Sequence, residues 1–488
     1  MRSSVRKSTD VLSAKADLLV VCVSSPPVPL TGAAADVNEA LGGLVGQAAA
    51  DGEVDGSPGS VTRFHAGSPF AAPRVAVVGI GDGSPEDWRA AGKAAAEIAG
   101  RVATRRIALV PPPGTGAVEA AAFIEGLGVA AYRFDRFSTK DDAKPAPERL
   151  MIHTPTLRSA DVQRADRVVA AVNGARDLAN TPANHLTPSM LADYAKALAA
   201  DIPNLKCTVL DRAKLEKLGA GALLAVARGS DEPPRMIVLR YTPADPTRPG
   251  EVLGLVGKAV TFDTGGISIK PANGMEEMKM DMGGGAAVIE ATALIAALGL
   301  PVEVIAVVPS TENMPSGHAV KPGDVVTALN GRTVEVINTD AEGRMILADA
   351  LTHAAREGAT RMIDMATLTG AIVVALGEVY AGLFGSDDAW TELVREAGEE
   401  SGDLAWPMPM HERYAPLIKS KVADLANSSS KRQAGAVYAA QFLREFTDGL
   451  PWCHVDIAGT GMVGGAGTGF GVRLALAVAE RLAAPAPS

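Results

Sequence analysis

Val334-Glu335-Val336-Ile337-Asn338-Thr339-Asp340-Ala341-Glu342-Gly343-Arg344-Met345 joins an alternating apolar run to a segment, Met345 to Glu357, that reads as a helix. The first half has the period of two that belongs to a strand. Between strand and helix stand two carboxylates and a guanidinium, two residues apart. In an extended chain residues i, i+2 and i+4 share a face, so Asp340, Glu342 and Arg344 would converge on one small volume. Carboxylates held that close repel, and a protein that keeps both ionised supplies cations, either side chains or metal ions. A local reading competes: Thr339-Asp340-Ala341-Glu342 fits the S/T-x-x-E capping box that opens a helix.

Outward from this stretch, strands and helices alternate. Ile237 to Tyr241, Val252 to Val260, Val302 to Val308, Val334 to Asn338 and Arg361 to Met365 read as strands, and Ala286 to Leu298 and Gly435 to Phe446 as helices. Thr187 or Pro188 starts another helix through Ala200. Upstream, Asp17 to Val23 reads as the first strand of the fold, Val75 to Gly79 and Ile107 to Val110 as further strands, and Trp88 to Ile98 and Ala117 to Glu125 as helices. Lys140 to Glu148 reads as a surface connection and Ala160 to Leu178 as a bridging helix. The expected fold class is α/β: a smaller N-terminal α/β domain over 1–155, a linker helix over 156–180, and a larger C-terminal domain over 181–488 with a mixed central sheet flanked by helices. Gly79-Ile80-Gly81-Asp82-Gly83 imitates a dinucleotide fingerprint, but Ser84 stands where the third glycine of G-x-G-x-x-G belongs, so a tight turn is expected.

Composition narrows the function. With 47% hydrophobic and 21% charged residues the chain is that of a globular protein, and no run of about 18 consecutive apolar residues suggests a membrane span. A net charge of −10 disfavours a nucleic-acid surface, which needs a basic stripe. Three scattered cysteines, Cys22, Cys207 and Cys453, fit a cytoplasmic protein with no disulfide framework.

A second stretch ends in acids and glycines: Gly257-Lys258-Ala259-Val260-Thr261-Phe262-Asp263-Thr264-Gly265-Gly266. Lys258 and Asp263 are an odd number apart, so a regular strand would put them on opposite faces. Either they are unrelated or the chain bends between them. Lys270-Pro271 follows, then Met278-Lys279-Met280-Asp281-Met282 leading into a helix, where an isolated Asp281 would do no more than complement the helix dipole.

These blocks together resemble the leucyl aminopeptidase family. Gly257 to Pro271, Met278 to Met282 and Asn338 to Arg344 look like its signatures, and Glu312 to Pro315, Pro322 to Val325, Ala366 to Gly370 and Asp456 to Thr460 continue the resemblance in order. The resemblance implies a two-metal centre in which Asp263 and Glu342 bridge the ions, Lys258 and Asp281 add to one, and Asp340 adds to the other through side chain and backbone carbonyl. Oxygen-rich ligation without histidine suits Mn²⁺, Zn²⁺ or Mg²⁺, and Lys258 would have to ligate as a neutral amine. Two ions about 3.5–4 Å apart would polarise a peptide carbonyl and hold the attacking oxygen. Lys270 would face the oxyanion, and Arg344 would hold a bicarbonate ion as general base. Met278, Thr367, Gly370 and Ala458 would line the pocket for the first side chain, with the Leu368 carbonyl near the substrate amine.

The resemblance further implies peptides or aminoacyl amides with a free N-terminus as substrates, and a homohexamer. Departures from the pattern are small: Ala259, Thr264 and Met345 replace the usual glycine, serine and leucine, and the run Gly283-Gly284-Gly285 would loosen the pocket near Asp281 and Met278. His318, His411 and His454 are expected to be structural. Two other classes compete. A two-metal phosphoesterase would want more basic groups near the acids than Lys270 and Arg344, and a DNA-binding regulator on the same fold would not need the whole ligand set.

Overall fold

The computed structural model describes residues 1–140, 145–431 and 433–485, in two units that divide after Asn173. The first unit holds strands β1 (Arg2–Arg6), β2 (Leu18–Val23), β3 (Val61–His65), β4 (Arg74–Gly79), β5 (Arg106–Val110) and β6 (Arg149–His153). They form one sheet in the order β1-β6-β5-β2-β4-β3, parallel except for β3. Helices α1 (Gly32–Ala40), α2 (Leu44–Ala50), α3 (Pro85–Arg101) and α4 (Ala117–Ala130) cover it, and α5 (Ser159–Asn180) carries the chain across the division.

Strand period sorts the two core layers of this unit. Leu18, Val20 and Cys22 of β2 pack in one layer with Trp88 and Phe123, while Leu19, Val21 and Val23 pack in the other with Val37 and Val45. A strand buried on both faces reads as an unbroken apolar run, as β2 does. The expectation that it is the first strand is corrected. The polar segment Arg2–Arg6 pairs in parallel at the sheet edge with β6, where period and hydrophobicity leave no trace of it. The Gly79–Gly83 turn is as expected: Gly81 and Gly83 have φ of +53° and +87°, and Ser84 and Asp87 close a capping box on α3. Part of the connection expected over 140–148 lies outside the described residues.

The second unit adds α6 (Pro188–Ala200), β7 (Leu205–Leu210), α7 (Arg212–Leu218), α8 (Gly221–Val226), β8 (Arg235–Tyr241), β9 (Val252–Gly257), β10 (Ala259–Asp263), α9 (Gly283–Ala297) and β11 (Glu303–Asn313). Then come β12 (Val325–Thr327), β13 (Thr333–Glu335), α10 (Glu342–Arg356), β14 (Arg361–Ala366), α11 (Gly370–Leu376), β15 (Ala381–Gly385) and α12 (Asp388–Ser401). The chain ends with β16 (Ala405–Pro407), β17 (Leu425–Ala426), α13 (Gly435–Arg444), β18 (Trp452–Asp456) and α14 (Val472–Ala483). Nine strands make a mixed sheet in the order β16-β15-β18-β14-β9-β11-β8-β7, with β10 beside β11. Strands β18, β14, β9, β11 and β10 run parallel, so their carboxyl ends open on one edge. Ligands of α/β sheets gather at such an edge. The stretch Met275–Ala297 has the length and hydropathy of a membrane span, the only one among the described residues, and most of it is buried inside the protein.

Two expectations for Val334 to Met345 are corrected. The strand expected over Val334 to Asn338 is only β13, in a small separate sheet with β12 and β17. The helix expected from Met345 starts three residues earlier, at Glu342. Asp340, Glu342 and Arg344 therefore share no strand face, because Asp340 sits in a loop while Glu342 and Arg344 occupy the first helical turn, where i and i+2 diverge.

Candidate active site

Strand β9 ends at Gly257, and β10 resumes at Ala259 alongside the same long neighbour, β11. Lys258 is the break between them, and the register shifts again between Val260 and Phe262. That irregularity resolves the odd spacing of Lys258 and Asp263 in favour of a bent chain. The Lys258 amide donates to the Met365 carbonyl at 3.1 Å and its carbonyl accepts from Gly285 at 2.6 Å, which pins the break between β14 and α9. A Cβ on Gly284 would lie 2.0 Å from the Met365 carbonyl oxygen, and one on Gly285 would lie 2.7 Å from the Ala259 Cβ. Gly284 and Gly285 therefore permit a close helix–sheet contact. Gly343 does the same for the helix opposite, since a Cβ there would meet the Lys258 Cε at 2.6 Å.

Lys258 Nζ lies 2.7 Å from Asp281 Oδ2, 2.8 Å from Glu342 Oε1 and 3.1 Å from the Thr367 carbonyl, almost fully buried. Asp281 thus turns to the lysine and accepts from the Thr367 hydroxyl at 2.7 Å. Lys270 Nζ lies 2.8 Å from Asp263 Oδ2 and is also ion-paired with Asp340. Carboxylate oxygens of Asp263, Asp340 and Glu342 come within 4.8 Å of one another. The capping box is not formed. Ala341 occupies the N-cap with no side-chain hydrogen bond, Glu342 points to Lys258, and the Thr339 hydroxyl instead donates to the Gly265 carbonyl at 2.6 Å and accepts from the Ser268 amide at 2.8 Å.

Electrostatics show what this cluster lacks. Four carboxylates face two ammonium groups, which leaves a surplus of negative charge in a largely buried place. Burial, then the charges of Glu342 and Asp263, push Asp281 up to about 8 and Asp340 up to about 6, against the pull of Lys258 and Lys270 respectively. Asp263 is raised for the same reasons. Burial also opposes ionisation of Glu342, but Lys258 and Lys270 outweigh it and hold that carboxyl low. Burial disfavours both ammonium groups, yet the carboxylates around them push Lys258 and Lys270 well above the usual lysine range. Divalent cations would neutralise the surplus, and an all-oxygen set supplemented by an amine is chemistry that Mn²⁺, Zn²⁺ and Mg²⁺ accept. The residues fit a pair of such ions.

All twelve residues singled out from the sequence line one cavity of about 500 Å³: Lys258, Asp263, Lys270, Met278, Asp281, Asp340, Glu342, Arg344, Thr367, Leu368, Gly370 and Ala458. Arg344 leaves the acids and donates from Nη1 to the Asn427 carbonyl at 2.9 Å. No histidine lines the cavity; His454 is buried with Nδ1 2.6 Å from Asp364, a structural pairing as expected. Sequence reading missed the residues that hold the cluster from outside. Asn313 Nδ2 donates to Asp263 Oδ1 at 2.8 Å, Asn427 ties the 337–338 backbone through its side chain, and Asp456 accepts from the Leu368, Thr369 and Ala458 amides at 3.2–3.3 Å. Asn313 and Asp456 lie inside the matched blocks, which was their only signal. Asn427 and Tyr438 carried none.

A lysine- and carboxylate-lined cavity at the carboxyl edge of a mixed α/β sheet has the make-up that a metal-dependent hydrolase needs. The family model described as "Cytosol aminopeptidase family, catalytic domain" matches residues 173–476, and that of the family's N-terminal domain matches residues 20–141. The chain belongs to the cytosol aminopeptidase family. It is 48% identical to a "Probable cytosol aminopeptidase" of Solibacter usitatus over 84% of this chain and 86% of that protein. A protein of the same name from Syntrophotalea carbinolica is 43% identical over 91% of this chain and 93% of its own length. Among solved structures, a mutant of tomato leucine aminopeptidase superposes with a TM-score of 0.88 at 34% identity, covering 99% of this chain and 96% of that one. The bottromycin maturation enzyme BotP in complex with Mn gives a TM-score of 0.84 at 34% identity, covering 96% and 100%. The protein is thus a metal-dependent aminopeptidase, a hydrolase of a two-metal family that acts on peptides with a free N-terminus. These comparisons do not favour a phosphoesterase or a DNA-binding regulator.

Proposed function

We propose that the chain releases leucine-like residues from the N-termini of peptides and aminoacyl amides, with the division of labour that the cavity supports. Asp263 and Glu342 would be shared by two divalent ions, Lys258 and Asp281 adding to one, and Asp340, through carboxylate and backbone carbonyl, to the other. When bound, the ions, Mn²⁺, Zn²⁺ or Mg²⁺, supply Lewis acidity at the peptide carbonyl and a water acidic enough to attack it near neutral pH. Lys258, held as an ammonium by the carboxylates around it, would ligate as a neutral amine where cations neutralise those carboxylates. Lys270 stays protonated and offers its charge to the oxygen that becomes negative. Arg344 would hold a bicarbonate ion, which when bound would supply the general base.

Met278, Thr367, Gly370 and Ala458 shape the space for the first side chain, and the Leu368 carbonyl and Asp281 receive the substrate α-amine. The anchor for that segment is Asp456, which accepts from the Leu368 and Thr369 amides. Manganese finds support in the ion of BotP, and a cytoplasmic location in the names of the relatives. The domain division 1–155, 156–180 and 181–488 and a homohexameric assembly belong to the same proposal, the latter resting on the family resemblance.

One observation carries the reading: the five ligating residues, Lys270, Arg344 and the five pocket residues line a single cavity. The test compares L-leucine anilide, its N-acetylated form and a phosphomonoester, before and after chelation and with Mn²⁺ restored. Only the free-amine substrate is expected to turn over, and only with metal. Equal cleavage of the acetylated substrate would sink the assignment of the amine site.

A further inference from the structure

A buried guanidinium needs something to lie against. Arg344 is 5% exposed and lines the cavity, yet its Nη1 has the Asn427 carbonyl at 2.9 Å while its Nε has no hydrogen-bond partner among the described residues. Glu342, two residues away, is already bound to Lys258 at 2.8 Å. A buried cation so sparsely bonded is unfavourable unless something else faces its charge. What faces it is Tyr438, by its hydroxyl oxygen, which interacts favourably with the guanidinium, and by its ring: Arg344 Cζ lies 5.2 Å from the ring centroid, inside the range in which a guanidinium is attracted to a π face.

Tyr438 comes from α13, far along the chain, and lines the same cavity. Its hydroxyl is 3.4 Å from the Ser428 hydroxyl, and Ser428 follows the Asn427 whose carbonyl takes Nη1. Two separate segments therefore fix Arg344, one by its edge and one by its face. The fork of a guanidinium matches a planar oxyanion only when its plane is set, because both N–H bonds must point at once. An aliphatic side chain at 438 would fill space without setting that plane.

We propose that the ring of Tyr438 is a positioning element for the reaction, holding the Arg344 guanidinium in the orientation that receives a planar oxyanion. The inference rests on the assignment of bicarbonate to Arg344. Tyr438 acts through the arginine and takes no part in bond making.

Hydrolysis of L-leucine anilide by the Mn²⁺-loaded enzyme is measured in bicarbonate-depleted buffer and across added bicarbonate, for the unsubstituted protein, Tyr438→Phe, Tyr438→Leu, Tyr438→Met and Arg344→Ala. Tyr438→Phe keeps the ring and gives up only the hydroxyl's contact with the guanidinium, so it should lose clearly less than the aliphatic variants, within about threefold of the unsubstituted enzyme. Tyr438→Leu and Tyr438→Met should lose about tenfold in kcat, in the range for a desolvated cation–π contact, with KM shifted less than about twofold and a higher bicarbonate concentration for half-maximal rate. Thermal melts verify folding, and the unbranched methionine covers the case in which leucine does not fit. Normal kcat and bicarbonate response in the aliphatic variants would overturn the inference, as would a loss in Tyr438→Phe equal to theirs. Arg344→Ala separates the two claims. If it still responds to bicarbonate, the arginine assignment falls and takes the inference with it; if it is unresponsive while Tyr438→Leu responds fully, the inference alone falls.

Discussion

The two units are both helix-covered α/β sheets, and they differ in what they bury. Among the described residues of the first unit the buried polar side chains are three threonines, Thr104, Thr115 and Thr154, and His153. The second unit buries Lys258, Asp263, Asp281, Glu290, Glu342, Arg344, Asp349, Asp364, Asp403 and Asp456. An ionised group inside a protein costs several kcal/mol unless it is paired, so the second sheet gives up stability that the first retains. Five of these ten, Lys258, Asp263, Asp281, Glu342 and Arg344, line the one cavity to which we assign the chemistry. Function should therefore respond to charge in one unit, and stability to packing in the other.

The largest test removes one shared carboxylate. Glu342→Gln keeps the shape, yet it removes the charge that Lys258 meets at 2.8 Å and that we assign to both ions. It should lower kcat/KM on the order of 10³-fold, the upper range for loss of a transition-state charge stabiliser. Leu109→Ala in β5 of the first unit, at 0% exposure, should instead cost about 2–5 kcal/mol in stability and leave kcat/KM within about twofold at temperatures where the protein stays folded. Steady-state kinetics beside denaturant unfolding would read both. A large kinetic effect at Leu109, or none at Glu342, would break the contrast.

A buried acid away from the cavity gives the next effect. Glu290 lies in α9 among apolar side chains, 5% exposed, and accepts a hydrogen bond from the Tyr194 hydroxyl. Burial, and then the charge of Asp177, raise its carboxyl to about 7 although the tyrosine pulls the other way. The folded state thus binds this proton more tightly than the unfolded chain, whose glutamates titrate near 4.3. Stability from this group is fully present below about pH 4 and declines as pH rises to about 7, by up to about 3 kcal/mol. Glu290→Gln preserves an acceptor for Tyr194 and should flatten that slope. Urea midpoints at pH 5 and pH 8 for the two proteins would show it, and identical slopes would remove Glu290 from the account.

The sequence made the cluster legible and left its supports hidden. Asp263, Asp281, Asp340 and Glu342 could be read because each sits in a block whose local pattern survives translation into structure. Their convergence followed a different route from the one spacing suggested. Asp340 and Glu342 meet because a loop feeds a helix, not because a strand alternates, and Arg344 parts from them because a helix turns by about 100° per residue. The strand and helix alternation of both units was visible in apolar periods, whereas β1 was not, since a polar edge strand has no period to read. Asn427 and Tyr438 reach the site across 83 and 94 residues from Arg344, separations that no local pattern records.

Metal removal should sharpen the contrast within one sample. A site that binds ions in the folded state alone gains about 2.7 kcal/mol at a free concentration one hundred times Kd. Chelation should lower the unfolding midpoint accordingly. By hydrogen exchange it should speed the amides of 258–266 and 339–344, which the carboxylate cluster organises, while those of β2 in the first unit keep their rates. Equal acceleration in β2 would mean that the two sheets do not divide the work as proposed.

The smallest effect tests the first unit where its sequence most resembles a binding site. Gly79-Ile80-Gly81-Asp82-Gly83 enters α3, and if the loop cradled a phosphate the helix N-terminus would owe its amides to the ligand. Instead the Ser84 hydroxyl accepts from the Asp87 amide at 3.2 Å and Asp87 Oδ2 accepts from the Ser84 amide at 3.3 Å, while a Cβ on Gly81 would meet the Asp87 carboxylate at 2.8 Å. The protein's own side chains, one of them an anion, occupy the place a phosphate would take. Ser84→Ala should therefore cost about 1 kcal/mol, a loss of roughly 2–4 °C in Tm, with kcat and KM unchanged. A dinucleotide that restored the lost stability would make the turn a ligand site after all; without such rescue, this unit differs from the second in holding its helix ends by structure alone.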